Sequence, residues 1–235
     1  MDDENKISSI ISEYKKIIIY IHVACLNTYE DIFINLINLI KESKLYDAVY
    51  EIRCGVLGIQ SEKFKNIINE DEKIKIVIEN NNLNLYETFT INKMMEDSKL
   101  ENSYILYLHT KGCTKPNNIN VKSWVDYLCY FNITKWNLCI NYLENNDMVG
   151  VNLMSGGRNP THYSGNFWWT KSDYVKDRKK IVDKSYNAPE FHMTKDRLGR
   201  YLGLWKSDVN HYHKQYPKKL YEGKEILPYE IVPIK

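Results

Sequence analysis

The first half of the chain alternates short apolar runs with amphipathic stretches. Ile17 to Ala24, an apolar run holding Tyr20 and His22, predicts a buried strand. After the turn Cys25-Leu26-Asn27, Asn27 or Thr28 can cap a helix whose first turn carries Glu30 and Asp31. Ile32, Leu36, Leu39 and Ile40 then recur at helical spacing. Ala48 to Leu57 predicts a second strand ended by Gly58, Glu62 to Ile68 a short helix, and Lys73 to Ile78 a third strand. Beyond Asn80-Asn81-Asn82, the pattern predicts a helix from Tyr86 to Glu96 with Phe89, Ile91 and Met94 turned inward. Tyr104 to Leu108 is a fourth run, of the kind buried in mid-sheet, and it stops at His109-Thr110-Lys111-Gly112. This alternation argues for an α/β fold with a mainly parallel sheet and right-handed crossovers.

The second half is less regular. A polar loop over residues 114–120 leads into a long helical stretch from Val121 to Leu143, with a break near Asn132. Trp124, Leu128, Phe131, Trp136 and Ile140 line its buried side. Met148 to Leu153 predicts a fifth strand, and Ser155 to Pro160 a flexible turn. Basic clusters, aromatic residues and prolines in the C-terminal part predict a flap or tail, and residues 1–14 a short helix or frayed arm.

A chain of 235 residues that is 43% hydrophobic builds one substantial core, hence one domain over 1–235. A net charge of +2 is no electrostatic footprint for duplex nucleic acid. The five cysteines are odd in number and lack a Cys-x-x-Cys spacing, as expected of reduced, buried thiols in a cytoplasmic protein. No run reaches the ~18 apolar residues of a membrane span. Lys15-Lys16 with Ile17 to Leu26 superficially resembles a signal peptide, but His22 interrupts it and an acidic start precedes it, so it reads as a strand.

Two stretches carry candidate chemistry. In open α/β sheets ligands collect beyond the carboxyl ends of strands. The histidine, hydroxyl, lysine and glycine of His109-Thr110-Lys111-Gly112 suit a diphosphate there, although any polar tetrapeptide can end a strand. In His162-Tyr163-Ser164-Gly165-Asn166-Phe167-Trp168-Trp169, small residues let a ligand approach the backbone, asparagine bonds hydroxyls, and indoles stack on sugars. Adjacent tryptophans on a strand point to opposite faces, so at least one packs in the core.

Together with Lys122-Ser123-Trp124 and Asp147-Met148-Val149-Gly150, these stretches resemble the GT-A-fold glycosyltransferases of large DNA viruses and bacteria. Those include chlorella-virus capsid-glycan enzymes and bacterial rhamnan or capsule polysaccharide transferases. The resemblance covers roughly residues 17–220. It implies a Rossmann-like nucleotide-binding half (1–112), an acceptor half (113–205) and a C-terminal tail (206–235). The implied donor is a UDP- or dTDP-linked sugar, the acceptor a glycan or glycoprotein, and the setting the cytoplasm, that of the host if the protein is viral.

On this resemblance His22, Val23 and Ala24 meet base and ribose, while His109, Thr110, Gly112 and Arg158 meet the rest of the donor. Lys111 stabilises the departing diphosphate. His162, Gly165, Asn166, Trp168 and Trp169 face the sugar or acceptor. Glu190 is the base that takes the acceptor proton, with Asp126 and Asp147 as other carboxylates; Arg53 is a further candidate for phosphate. GT-A enzymes commonly hold Mn²⁺ or Mg²⁺ with an Asp-x-Asp at the end of the fourth strand, and this chain has none. Either His211 and His213 help to hold the metal, or Lys111 and His109 replace its charge. The missing motif also leaves a second reading, a non-catalytic carbohydrate-binding module on a degenerate transferase fold.

Overall fold

Successive residues of the central strands face two different cores, one on each side of a single large sheet. The structure, a computed structural model, describes residues 16–157 and 159–233. The N-terminal arm and Arg158 lie outside the described residues. In chain order the first half holds β1 (Ile17–Ala24), α1 (Tyr29–Glu42), the short α2 (Leu45–Ala48), β2 (Val49–Leu57) and α3 (Ser61–Ile68). It continues with β3 (Ile74–Asn80), α4 (Thr88–Asp97) and β4 (Tyr104–His109). Then come α5 (Ile119–Cys129), α6 (Trp136–Leu143), β5 (Met148–Gly150), β6 (Leu153–Met154), β7 (His162–Tyr163) and β8 (Trp168–Lys171). The short helices α7 (Ser172–Val175) and α8 (Ala188–His192) precede β9 (Tyr201–Gly203) and β10 (Tyr229–Ile231).

The sheet runs β10-β9-β5-β8-β4-β1-β2-β3. β4, β1, β2 and β3 are mutually parallel, as the strand–helix alternation predicts. β8 runs antiparallel to both of its neighbours, β4 and β5. β9 returns parallel to β5, and β10 closes the sheet antiparallel to β9. Ile17, Ile19, Ile21 and Val23 of β1 join one core with Tyr104, Leu106 and Leu108 of β4, packed under α1, α3, α5 and α6. Ile18, Tyr20, Ile105 and Tyr107 face the other core, with Ile91, Met94 and Met95 of α4. This period of two is the strand geometry itself.

The break expected near Asn132 is a π-helical turn over Tyr130–Thr134, where Asn132 Nδ2 donates to the Leu128 carbonyl at 2.9 Å. The expected fifth strand is cut short. Asn152 takes a left-handed φ of +50°, and β6 turns away to pair with β7. The C-terminal part also supplies β9 and β10 and buries Tyr216 and Tyr221 in the main core. All five cysteines are buried and unpaired.

Two expected sugar contacts are corrected here. Trp168 and Trp169 point to opposite faces, and both are core residues, at 1% and 0% exposure. Trp168 stacks on Tyr107, and Trp169 Nε1 donates to the Asn132 carbonyl at 2.8 Å. Neither indole has a face left for a carbohydrate. Trp169→Ala is therefore expected to lower folding stability by about 3–5 kcal/mol in denaturant titrations; a variant of unchanged stability that lost only glycan binding would return Trp169 to the site.

Candidate active site

The site follows from the strand directions. β1, β4, β5 and β9 all end at one edge of the sheet, and antiparallel β8 begins there, with Tyr107 of β4 opposite Trp168. The turn leading into β8 is thus delivered to the carboxyl end of β4, where His109 sits in register with His22.

That turn is Gly165-Asn166, with left-handed φ values of +97° and +56°. A β-carbon on Gly165 would lie 2.7 Å from Leu128 Cδ1 and 3.1 Å from Trp124, so only glycine fits. The turn ties three candidate residues together. Gly165 N–H donates to Glu190 Oε1 at 2.8 Å, and the Gly165 carbonyl accepts from His109 Nε2 at 3.1 Å. Asn166 Nδ2 donates to Glu87 Oε2 at 2.6 Å, while its Oδ1 accepts from Trp168 Nε1 at 2.7 Å. Tyr107 Oη also donates to Glu87 Oε2, at 3.1 Å.

Two cavities meet at this network. One, of about 230 Å³, lies at the ends of β1 and β4 against His22, Ala24, Leu57, Tyr86, Thr110 and Gly112. The other, of about 240 Å³, is lined by His162, Gly165, Asn166, Asn187 and Glu190. Glu87, His109, Lys111, Trp124, Tyr186 and Tyr212 border both. A larger cavity of about 1040 Å³ near Arg178 and Asp196 meets the second cavity at Phe191.

Lys111 stands at the junction. Gly112, with φ +90°, lets the chain turn away just after it. The ammonium lies over the Trp124 ring, 3.9 Å from its centroid. Burial pulls the Lys111 pKa down, and Glu190 and Glu87 oppose that fall. Two imidazoles nearby, His22 and His109, are driven toward the neutral form. Burial and the Lys111 ammonium push His109 down to about 3, and burial pushes His22 to about 4. His22 is anchored through Nδ1 to Thr90 Oγ1 at 2.9 Å.

No protein-family model matches this sequence, and no curated protein does. Among solved structures, the chain is similar to two 4-diphosphocytidyl-2C-methyl-D-erythritol synthases. That from Anaerococcus prevotii DSM 20548 has a TM-score of 0.37 and 12% identity, over 77% of this chain and 83% of the other. The second has a TM-score of 0.39 and 12% identity, over 74% of this chain and 83% of its own.

Of the residues singled out by sequence, Lys111, His109, Gly112, His22, Ala24, His162, Gly165, Asn166 and Glu190 border the paired cavities. Others do not reach them as expected. Val23 turns its side chain into the main core. Thr110 borders the first cavity, but its hydroxyl accepts from Ala24 N–H at 3.1 Å and so stitches β1 to β4. Arg53 is engaged by Glu51, Glu101 and Tyr20. Asp147 precedes β5, at the opposite edge of the sheet, and holds Arg200 N–H at 2.8 Å.

His211 is buried between aromatic rings, parallel to Trp124 at 5.1 Å and to Tyr127 at 5.5 Å. Its Nε2 is engaged by Ser207 Oγ at 2.5 Å and Asn152 Nδ2 at 3.1 Å. Its Nδ1 is buried without a hydrogen-bond partner among the described residues, enclosed by the stacked rings, and His213 is exposed. Among the described residues no group of three His, Cys, Asp or Glu side chains could hold an ion. Glu87 escaped the sequence reading, because an acid before a helix is ordinary and its partners lie 20 and 79 residues away. Tyr186 and Tyr212, at the rim, gave no signal beyond being tyrosines.

The neutral histidines set a pH dependence. His22, His109 and His211 titrate near 4, 3 and 4 when folded, against 6.5 for an unperturbed ring. Each folded value is depressed, so the stabilisation is complete above about pH 6.5 and is lost as pH falls toward the folded values. The denaturation midpoint is expected to decline steadily from about pH 6.5 downward; a midpoint flat from about pH 7 to about pH 4.5 would contradict this assignment.

Proposed function

We propose that the protein is a glycosyltransferase that moves a sugar from a UDP- or dTDP-linked donor to a glycan or glycoprotein acceptor. The observation that carries this reading is the meeting of two cavities at Lys111, one at the β1 and β4 ends and one beside Glu190. The first cavity has the apolar walls and strand-end position that suit a nucleotide, and the second has the polar lining that suits sugar hydroxyls. The diphosphate lies between them, against the Lys111 ammonium. The resemblance to GT-A transferases supports the same assignment.

In the reaction the acceptor oxygen attacks the anomeric carbon as the bond to the diphosphate oxygen breaks. The bonding pair leaves with the diphosphate, and Lys111 stabilises the charge that develops there. Glu190 takes the acceptor proton; its Oε1 is fixed by Gly165 N–H, so the carboxylate is oriented before substrate arrives. Such a single displacement inverts configuration. The described residues do not form a three-ligand metal cluster, and no step is routed through Mn²⁺ or Mg²⁺.

The alternative is a carbohydrate-binding module that keeps the second cavity and has lost transfer. Nucleotide release from UDP- and dTDP-sugars, measured with an acceptor glycan and with EDTA, Mg²⁺ or Mn²⁺, separates the two. Turnover that survives EDTA and falls by about 10²–10⁴-fold in Glu190→Gln, with donor affinity kept, is expected. Glycan binding without turnover under every condition would leave the module in place of the enzyme.

A further inference from the structure

His109 and Glu87 face each other in a way that their own hydrogen bonds do not resolve. The Gly165 carbonyl can only accept, so the ring proton of His109 sits on Nε2, 3.1 Å away. In the neutral ring Nδ1 is then a bare acceptor. It lies 3.5 Å from Glu87 Oε1, itself an acceptor, while Glu87 Oε2 is already occupied by Tyr107 and Asn166. Lys111, His22, Cys113, Glu190, Tyr186 and Tyr212 are ionisable neighbours at the cavities, and among the described residues none hydrogen-bonds Glu87 Oε1 or His109 Nδ1. Two acceptors held side by side repel unless donors come between them. Both border the two cavities at their junction.

We infer that Glu87 Oε1 and His109 Nδ1 form a receptor for a vicinal diol, each accepting one of two adjacent ligand hydroxyls. The inference rests on the transferase reading for the source of the diol, which is either the ribose of the nucleotide or the acceptor sugar. Glu87 is then a binding and specificity residue outside the set read from the sequence. Its neighbours explain its rigidity: Tyr107 comes from β4 and Asn166 from the turn before β8, so the carboxylate cannot swing away to satisfy itself elsewhere.

The first test needs no ligand. In ¹⁵N-resolved NMR of the full chain, with His109 assigned by loss of its signals in His109→Gln, the ring should carry one proton, on Nε2, at neutral pH. A doubly protonated ring would make the pair an internal ion pair and overturn the inference. The second test compares ligands across a variant. Glu87→Gln turns an amide N–H toward His109 Nδ1 and closes the gap internally.

Wild type is expected to bind UDP at least ten-fold more tightly than 2′,3′-dideoxy-UDP if the ribose is the source. If the acceptor is the source, the same preference appears for a methyl rhamnoside over its 3-deoxy analogue. In Glu87→Gln that preference should collapse toward unity, while both members of the pair still bind. Nucleotide binding with no hydroxyl preference in either pair overturns the receptor and leaves the transferase reading intact. Diol-dependent binding of the glycoside with no nucleotide binding does the reverse. Binding of neither class overturns both.

Discussion

The site depends on two consecutive left-handed residues. Gly165 and Asn166 hold φ values that most side chains avoid, and in doing so they turn one carbonyl, one N–H and one amide toward three separate segments. His109 comes from the end of β4, Glu87 from the start of α4, and Glu190 from the first turn of α8. None of the three bonds another directly at hydrogen-bonding distance; each is fixed through the turn. Because the space beside Gly165 is filled by Leu128 and Trp124, the turn is in turn fixed by α5. Positioning therefore passes from a helix to a backbone turn to the side chains.

Much of the fold was legible because its determinants are local. Four apolar runs separated by amphipathic stretches dictate a parallel half-sheet, and the step from Leu108 to His109-Thr110-Lys111-Gly112 marks the end of β4, where the first cavity opens. The sequence also exposed Glu190 and the Gly165-Asn166 pair, since small and acidic residues after an aromatic strand are conspicuous. What escaped it was set by distant packing. Whether Trp168 and Trp169 meet sugar or core depends on β8 entering the middle of the sheet, a placement that no short window encodes. His211 was expected as a metal ligand, and is instead a buried ring between Trp124 and Tyr127.

The electrostatics have a simple logic. At the cavity junction burial pushes the His22 and His109 imidazoles toward the neutral form, so the cationic groups there are lysines, Lys111 at the junction and Lys115 at the first cavity. The contact of Lys111 with the Trp124 ring satisfies the cation without neutralising it, as a carboxylate would. Among the described residues no carboxylate forms a salt bridge with Lys111 within 4 Å, and Glu190 and Glu87 only partly oppose the fall that burial imposes on its pKa.

The antiparallel entry of β8 between β4 and β5 has a bearing on how the chain reaches this state. Emerging from the ribosome, the first four strands can pair β3-β2-β1-β4 by themselves, but β4 then has an open flank. That flank carries Tyr104, Leu106 and Leu108 on one face and Ile105 and Tyr107 on the other, with unpaired backbone groups between. It stays uncovered until Trp168 and Trp169 have been made and have turned back. The nascent half-sheet is thus a sticky template in the interval, vulnerable to pairing with another chain. The strand that completes the edge bearing the candidate site is also the one that covers the flank of β4.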